Sequence, residues 1–279
     1  MRLITSLFIL ILTQNVSAIT FTSTIHSVDE GKGEEPHLIR FDNGRVAFIN
    51  QDNTGLLSSF VLSGERAETL RVSVDKENNI YAVQTLDVES DEVEDESSWK
   101  ETEVSYRPAV LKTTNAATSI FKKMRKDYTK NGECYNRAHI WAYEEHKRSG
   151  LNSMKIFMFF TRRYIRKYKF HWWFHVTPMF YVKSFKSPRT LDRRYTSGPR
   201  QTKTWSDVFV KSKRRCKKVQ TFEQFWLNQE KEDCYHIYSS MYYVIPRDLE
   251  KRDLTGKEKT EFVEKEIRRA YSNGFNISY

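Results

Sequence analysis

The sequence is split by charge, and the split limits what one fold can do with it. Residues 19–110 carry 8 Lys and Arg against 19 Asp and Glu, a net of −11. Residues 111–279 carry 37 against 17, a net of +20. A break this sharp marks a domain boundary. Just before it lies Asp87-Val-Glu-Ser-Asp-Glu-Val-Glu-Asp-Glu-Ser-Ser98, which has no aromatic residue. Like charges at that density repel and stay extended, so residues 87–106 read as a flexible acidic linker and a natural proteolysis site. The 279 residues suffice for one or two real cores.

The chain opens with Arg2, an apolar run from Leu3 to Leu12, and Val16-Ser17-Ala18. Small residues at the last and third-last positions suit a signal peptidase, so residues 1–18 read as a signal peptide cleaved after Ala18. About ten apolar residues cannot cross a ~30 Å hydrocarbon core, so stable membrane insertion is not expected and the protein is expected to be secreted or periplasmic. Of Cys134, Cys216 and Cys234, at most two can pair within the chain. If Cys216 and Cys234 pair, Cys134 is the free thiol; three choices exist.

Residues 19–86 read as a small β-rich domain. Candidate strands are HLIRF (37–41), RVAFIN (45–50), SSFVLS (58–63), TLRVSV (69–74) and IYAVQTL (80–86), with DNG, DNTG, SGE and DKENN turns between them. An acidic domain tethered to a basic one is either an inhibitory pro-segment docked by charge or an independent binding domain. The Lys/Arg clusters Lys122–Lys126, Arg162–Lys169 and Lys211–Lys218 carry no nucleic-acid-binding signature. They read as a solvated or docking face, and nucleic acid is not an expected partner.

In residues 107–279, Ile120, Phe121, Met124 and Tyr128 suit an amphipathic helix over 118–128. After Lys130-Asn131-Gly132, a second helix starts near Cys134 and ends at Ser149-Gly150. A thiol at a helix N-terminus faces unpaired N–H groups and the positive dipole end, which favour thiolate and could hold an oxyanion. The base must come from elsewhere. His139 is five residues on, about 140° around the helix, and His146 is farther still. In a strand-like run His171-Trp-Trp-Phe-His175-Val176, after a candidate strand at Met154–Phe160, alternation puts His171 and His175 on one face. His175 sits in the apolar part and is the better base. Asp192 is the candidate to orient it, with Asp207 as rival. The segments 221–229 and 257–271 read as helices and 234–245 as a strand. His236 reads as structural, and Asn276-Ile-Ser278 fits a glycosylation sequon.

These residues resemble a known family. Glu133-Cys134-Tyr135-Asn136-Arg137-Ala138-His139 is similar to the Cys-Tyr-x-Arg-Ala-His motif of bacterial protein-glutaminases, or protein-glutamine deamidases. Trp172-Trp173-Phe174-His175-Val176 resembles that family's aromatic-His-Val strand. Asp192, Thr196-Ser197-Gly198-Pro199 and Trp205 resemble its Asp, Ser-Gly-Pro and Trp in order. The chain departs from the family's disulfide-rich pattern, has a slightly shorter gap after Asp192 and ends in a different charged tail.

The resemblance implies an α+β fold. A papain/transglutaminase-like catalytic domain would place a Cys-bearing helix on an antiparallel sheet that carries His and Asp. It implies a cofactor-free cysteine amidohydrolase with catalytic Cys134, His175 and Asp192, acting on glutamine in protein or peptide substrates. A docked pro-segment and an activating protease come with it. A transglutaminase or thiol protease could use the same triad, and an exported binding protein could carry it in degenerate form.

Overall fold

The computed structural model describes residues 19–86, 107–129, 133–212, 214–255 and 259–275. The expected signal peptide (1–18), acidic linker (87–106) and sequon (276–278) lie outside the described residues.

The N-terminal segment runs β1 (Ile19–Asp29), β2 (His37–Phe41), β3 (Val46–Ile49), α1 (Thr54–Glu65), β4 (Thr69–Val74) and β5 (Ile80–Leu86). Its sheet has the order β3-β2-β1-β4-β5, with antiparallel neighbours. Alternation along β4 buries Leu70, Val72 and Val74. The expected strand over 58–63 is helical instead. Asn53 accepts a hydrogen bond from the N–H of Leu56, which starts α1, and the helix turns Phe60 and Ser63 inward. The apolar run suits either structure, and the cap decides.

The rest of the chain runs β6 (Val110–Leu111), α2 (Thr114–Lys123), α3 (Cys134–Ser149), β7 (Met154–Phe160), α4 (Arg162–Tyr168), β8 (Phe174–Val182), β9 (Ser187–Thr190), β10 (Arg200–Gln201), α5 (Thr202–Ser206), β11 (Lys217–Lys218), α6 (Phe222–Trp226), β12 (Cys234–Ser240), α7 (Pro246–Thr255) and α8 (Glu264–Phe275). The second sheet follows β10-β9-β8-β7-β12-β11. Its centre is antiparallel, and two-residue parallel pairs, β6 with β8 and β11 with β12, lie at its margins. This is the expected α+β architecture. Several bounds differ from the expected ones. Helix α2 starts and stops earlier, with Thr113 capping its start by a hydrogen bond from the Ala116 N–H. Helix α6 and strand β12 are shorter, and α8 runs on to Phe275.

The two segments share a core. Leu38, Val46 and Phe48 pack in the same cluster as Phe157, Phe159, Trp173 and Phe174. Arg40, fully buried, donates to Gln229 Oε1 at 3.1 Å, pairs with Asp29 and lies 5.0 Å from the ring centre of Trp226. Arg247 bonds both oxygens of Asp42 at 2.9 Å, and Glu35 pairs with Arg166. Acidic groups of the first segment thus meet basic groups of the second.

Candidate active site

Cys134 is the first residue of α3, which closes at Gly150 in the left-handed conformation. Its N-cap, Glu133, gives no side-chain hydrogen bond to the first turn. Tyr135 and Asn136 bind Glu133 Oε2 through their side chains instead. The first N–H groups of α3, which have no intrahelical acceptor, thus receive no side-chain cap beside the Cys134 sulfur.

His175 lies on β8, paired with Met158 of β7. Asp192 lies two residues beyond the end of β9, just past the sheet that was expected to carry it. His175 Nε2 and Asp192 Oδ2 are 2.7 Å apart, both side chains 2% exposed. Trp205 Nε1, on α5, donates to the same Asp192 oxygen at 2.8 Å. Cys134 lies on the same cleft and acts on the His175 ring electrostatically. With Nε2 committed to Asp192, Nδ1 is the ring nitrogen left for the sulfur. Burial alone lowers the His175 pKa. The charge and hydrogen bond of Asp192, with the effect of Cys134, outweigh it and push the value up to about 9.

Aromatic rings surround this pair. Around the His175 ring, Phe209 lies at 4.4 Å, Tyr195 at 5.2 Å edge-on, Trp205 at 5.6 Å and Trp172 at 6.1 Å. They keep water from the His175–Asp192 bond, which strengthens it electrostatically. Cys134, half-buried, and His175 open together onto a small cleft of about 100 Å³. Arg137, Arg194 and Tyr195 also line it.

The other candidates go elsewhere. Asp207 caps α5 and binds Lys203 at 2.7 Å. His171 lies outside β8 and contacts Asn78 Oδ1 at 2.6 Å, because the strand begins only at Phe174. His139 is fully buried, with Nδ1 2.9 Å from Lys155 Nζ, and burial lowers its pKa well below normal. His236 is 2.9 Å from Ser206 Oγ, and burial lowers its pKa to about 4. Cys216 and Cys234 form a disulfide, which leaves Cys134 as the free thiol.

Part of the cleft wall comes from the acidic segment. Asn43, Gly44 and Arg45, in the β2–β3 turn, line it beside Cys134 and His175. Trp173 N–H donates to Gly44 O at 2.9 Å, Val46 N–H donates to His171 O at 3.2 Å, and Arg45 pairs with Trp172 as an antiparallel bridge. Gly44 has φ +88°, and a Cβ there would lie 3.3 Å from the Phe174 ring. Only glycine accepts both conditions at low cost. The sequence signals a turn at Asp42-Asn43-Gly44, but nothing in it points the turn at Cys134.

Among the described residues no helix is long and apolar enough to cross a membrane. No curated protein matches the chain. Among solved structures, one of a pro-protein-glutaminase is 12% identical, with 82% of this chain and 84% of that chain covered and a TM-score of 0.49. A second, of the protein-glutaminase from Chryseobacterium proteolyticum, is 14% identical, with 49% and 76% covered and a TM-score of 0.34. A family model described as Glutaminase matches residues 108–209. That span holds Cys134, His175, Asp192 and Trp205, so the likeness to that family falls on the segment that carries the cleft.

Proposed function

We propose that residues 107–279 form a protein-glutamine deamidase that uses Cys134 as nucleophile, His175 as acid and base, and Asp192 to hold the His175 ring. The observation that carries this reading is the line from Cys134 through His175 to Asp192 and Trp205, with the sulfur at the mouth of a cleft and the carboxylate behind it.

The chemistry follows from the positions of the groups. Cys134 Sγ attacks the side-chain carbonyl carbon of a protein-bound glutamine while the proton resides on His175 Nδ1. The oxyanion faces the N–H groups at the start of α3. The C–N bond breaks as His175 protonates the leaving nitrogen, which departs as ammonia and leaves a thioester. His175 then takes a proton from water, and the hydroxide adds to the carbonyl carbon. The C–S bond breaks, glutamate leaves and Cys134 is restored. No cofactor enters the scheme.

Residues 19–86 act as an inhibitory pro-segment in this reading, since the Asn43–Arg45 turn walls in the cleft that a substrate would need. A protease cutting within 87–106 would begin activation. Export after removal of residues 1–18 agrees with the Cys216–Cys234 disulfide, which suits an oxidising compartment.

The test is ammonia release from an unfolded Gln-rich protein by the full chain after proteolysis within 87–106 and across a dilution series that lets the cut segment dissociate, beside its Cys134→Ala variant. Intact mass and gels on the same samples separate glutamate formation, crosslinking and backbone cutting. Ammonia with conversion of Gln to Glu, absent in the variant, supports the reading. Crosslinks or peptide fragments would assign the triad to acyl transfer or proteolysis, and no Cys134-dependent product would remove the enzyme altogether.

A further inference from the structure

Glu133 occupies an unusual place for a carboxylate. It immediately precedes Cys134 and lines the same cleft. Its two hydrogen bonds both arrive at Oε2, from the Tyr135 hydroxyl and from Asn136 Nδ2 at 3.1 Å, so the group is clamped in the wall. Burial pushes its carboxyl pKa up, against the Tyr135 bond and the charges of Arg269, Arg45 and Arg137.

Arg45 of the N-terminal segment lies in that cleft too. Its guanidinium stands 5.2 Å from the ring centre of Phe21, and burial lowers its pKa while the Glu133 charge works to restore it. Arg45 and Glu133 thus line one cleft beside the nucleophile, close enough for each charge to act on the other. The two other guanidiniums lining it, Arg137 and Arg194, lie over the Tyr128 ring at 5.8 and 4.8 Å. When the 43–45 turn leaves, the position of Arg45 is open to another cation.

We propose that Glu133 is the acidic wall of a subsite for a cationic side chain, so that the enzyme selects glutamines with Lys or Arg close by in the substrate chain. This deepens the deamidase reading and rests on it. Desolvated opposite charges discriminate between partners more strongly than they add affinity.

The experiment compares ammonia release from three peptides, identical except that the residues flanking one glutamine are Lys, Ala or Glu. The enzyme is the full chain after proteolysis within 87–106, assayed across a dilution series that lets the cut segment dissociate, as wild type, Glu133→Gln and Glu133→Lys. The expected kcat/KM order is Lys, then Ala, then Glu, with steps of roughly fivefold. Glu133→Gln should bring the Lys-to-Glu ratio close to one, and Glu133→Lys should invert it. These ratios are internal to each variant, so a smaller folded fraction does not disturb them. Ammonia from all three peptides at equal rates, a preference for Glu, or a Lys preference that survives Glu133→Gln would overturn the subsite. Ammonia from none of them would overturn the deamidase reading, and the subsite with it.

Discussion

Trp205 and His175 meet at one atom: the indole Nε1 and the imidazole Nε2 both bond Asp192 Oδ2, at 2.8 and 2.7 Å. The indole bond fixes the carboxylate, and the carboxylate fixes the ring that faces Cys134. Trp205→Phe keeps a buried ring and deletes this one donor. Hydrogen bonds to charged groups contribute about 1.5–3 kcal/mol, so we expect kcat/KM to fall by about 10- to 100-fold. KM should change little, and a steady-state comparison checks it.

Asp192→Asn should lower the His175 pKa, because the charge of Asp192 is what lifts it to about 9 against burial. If activity needs protonated His175, the alkaline limb of the wild-type profile falls near 9. In the variant that limb should move down by more than one unit, together with a lower kcat. The pH dependence of kcat/KM reads both.

Stability should carry the same signature. A histidine raised in the folded state stabilises fully below its unfolded pKa of about 6.5 and loses that contribution as pH rises toward 9. Lys155 acts in the opposite sense. Burial lowers its pKa to about 7, so between about 7 and 10.4 the unfolded chain binds more protons and stability rises with pH. The two slopes oppose each other from pH 7 to 9. Lys155→Met should remove the second and expose a fall in denaturation midpoint over that interval. A flat profile in the variant would contradict the assignment of His175.

Gly44→Ala places a methyl group against Phe174 in a left-handed backbone. The backbone cost alone is about 1–2 kcal/mol, enough to weaken docking of the turn by roughly 5- to 30-fold. The uncut chain should then show higher basal ammonia release than wild type, with no change once the segment has been cleaved away and removed.

Much of the site is local in sequence and was legible there. Cys134 beside Gly132 marks a helix start, and the spacing to His175 and Asp192 follows one strand and one strand-turn. Among the first-segment strands, β2 and β3 fall where alternation and the DNG turn put them. What sequence could not supply depends on distant contacts. Phe60 lies in an apolar run that suits a strand until Asn53 caps a helix. His171 looks equivalent to His175 by alternation, yet β8 starts between them. Arg45 lines the Cys134 cleft only because two segments share one core, and no periodicity encodes that.

That shared core changes what a cut in 87–106 does. Scission removes a tether but none of the contacts made by Arg40, Asp42 or the Gly44–Trp173 pairing. It turns an intramolecular contact, with a high effective concentration, into an ordinary two-body equilibrium. Concentration then becomes a control variable: if residues 19–86 inhibit, nicked protein should stay covered in concentrated solution and open on dilution. Activity per molecule should rise as the sample is diluted, with a lag equal to the residence time of the departing sheet.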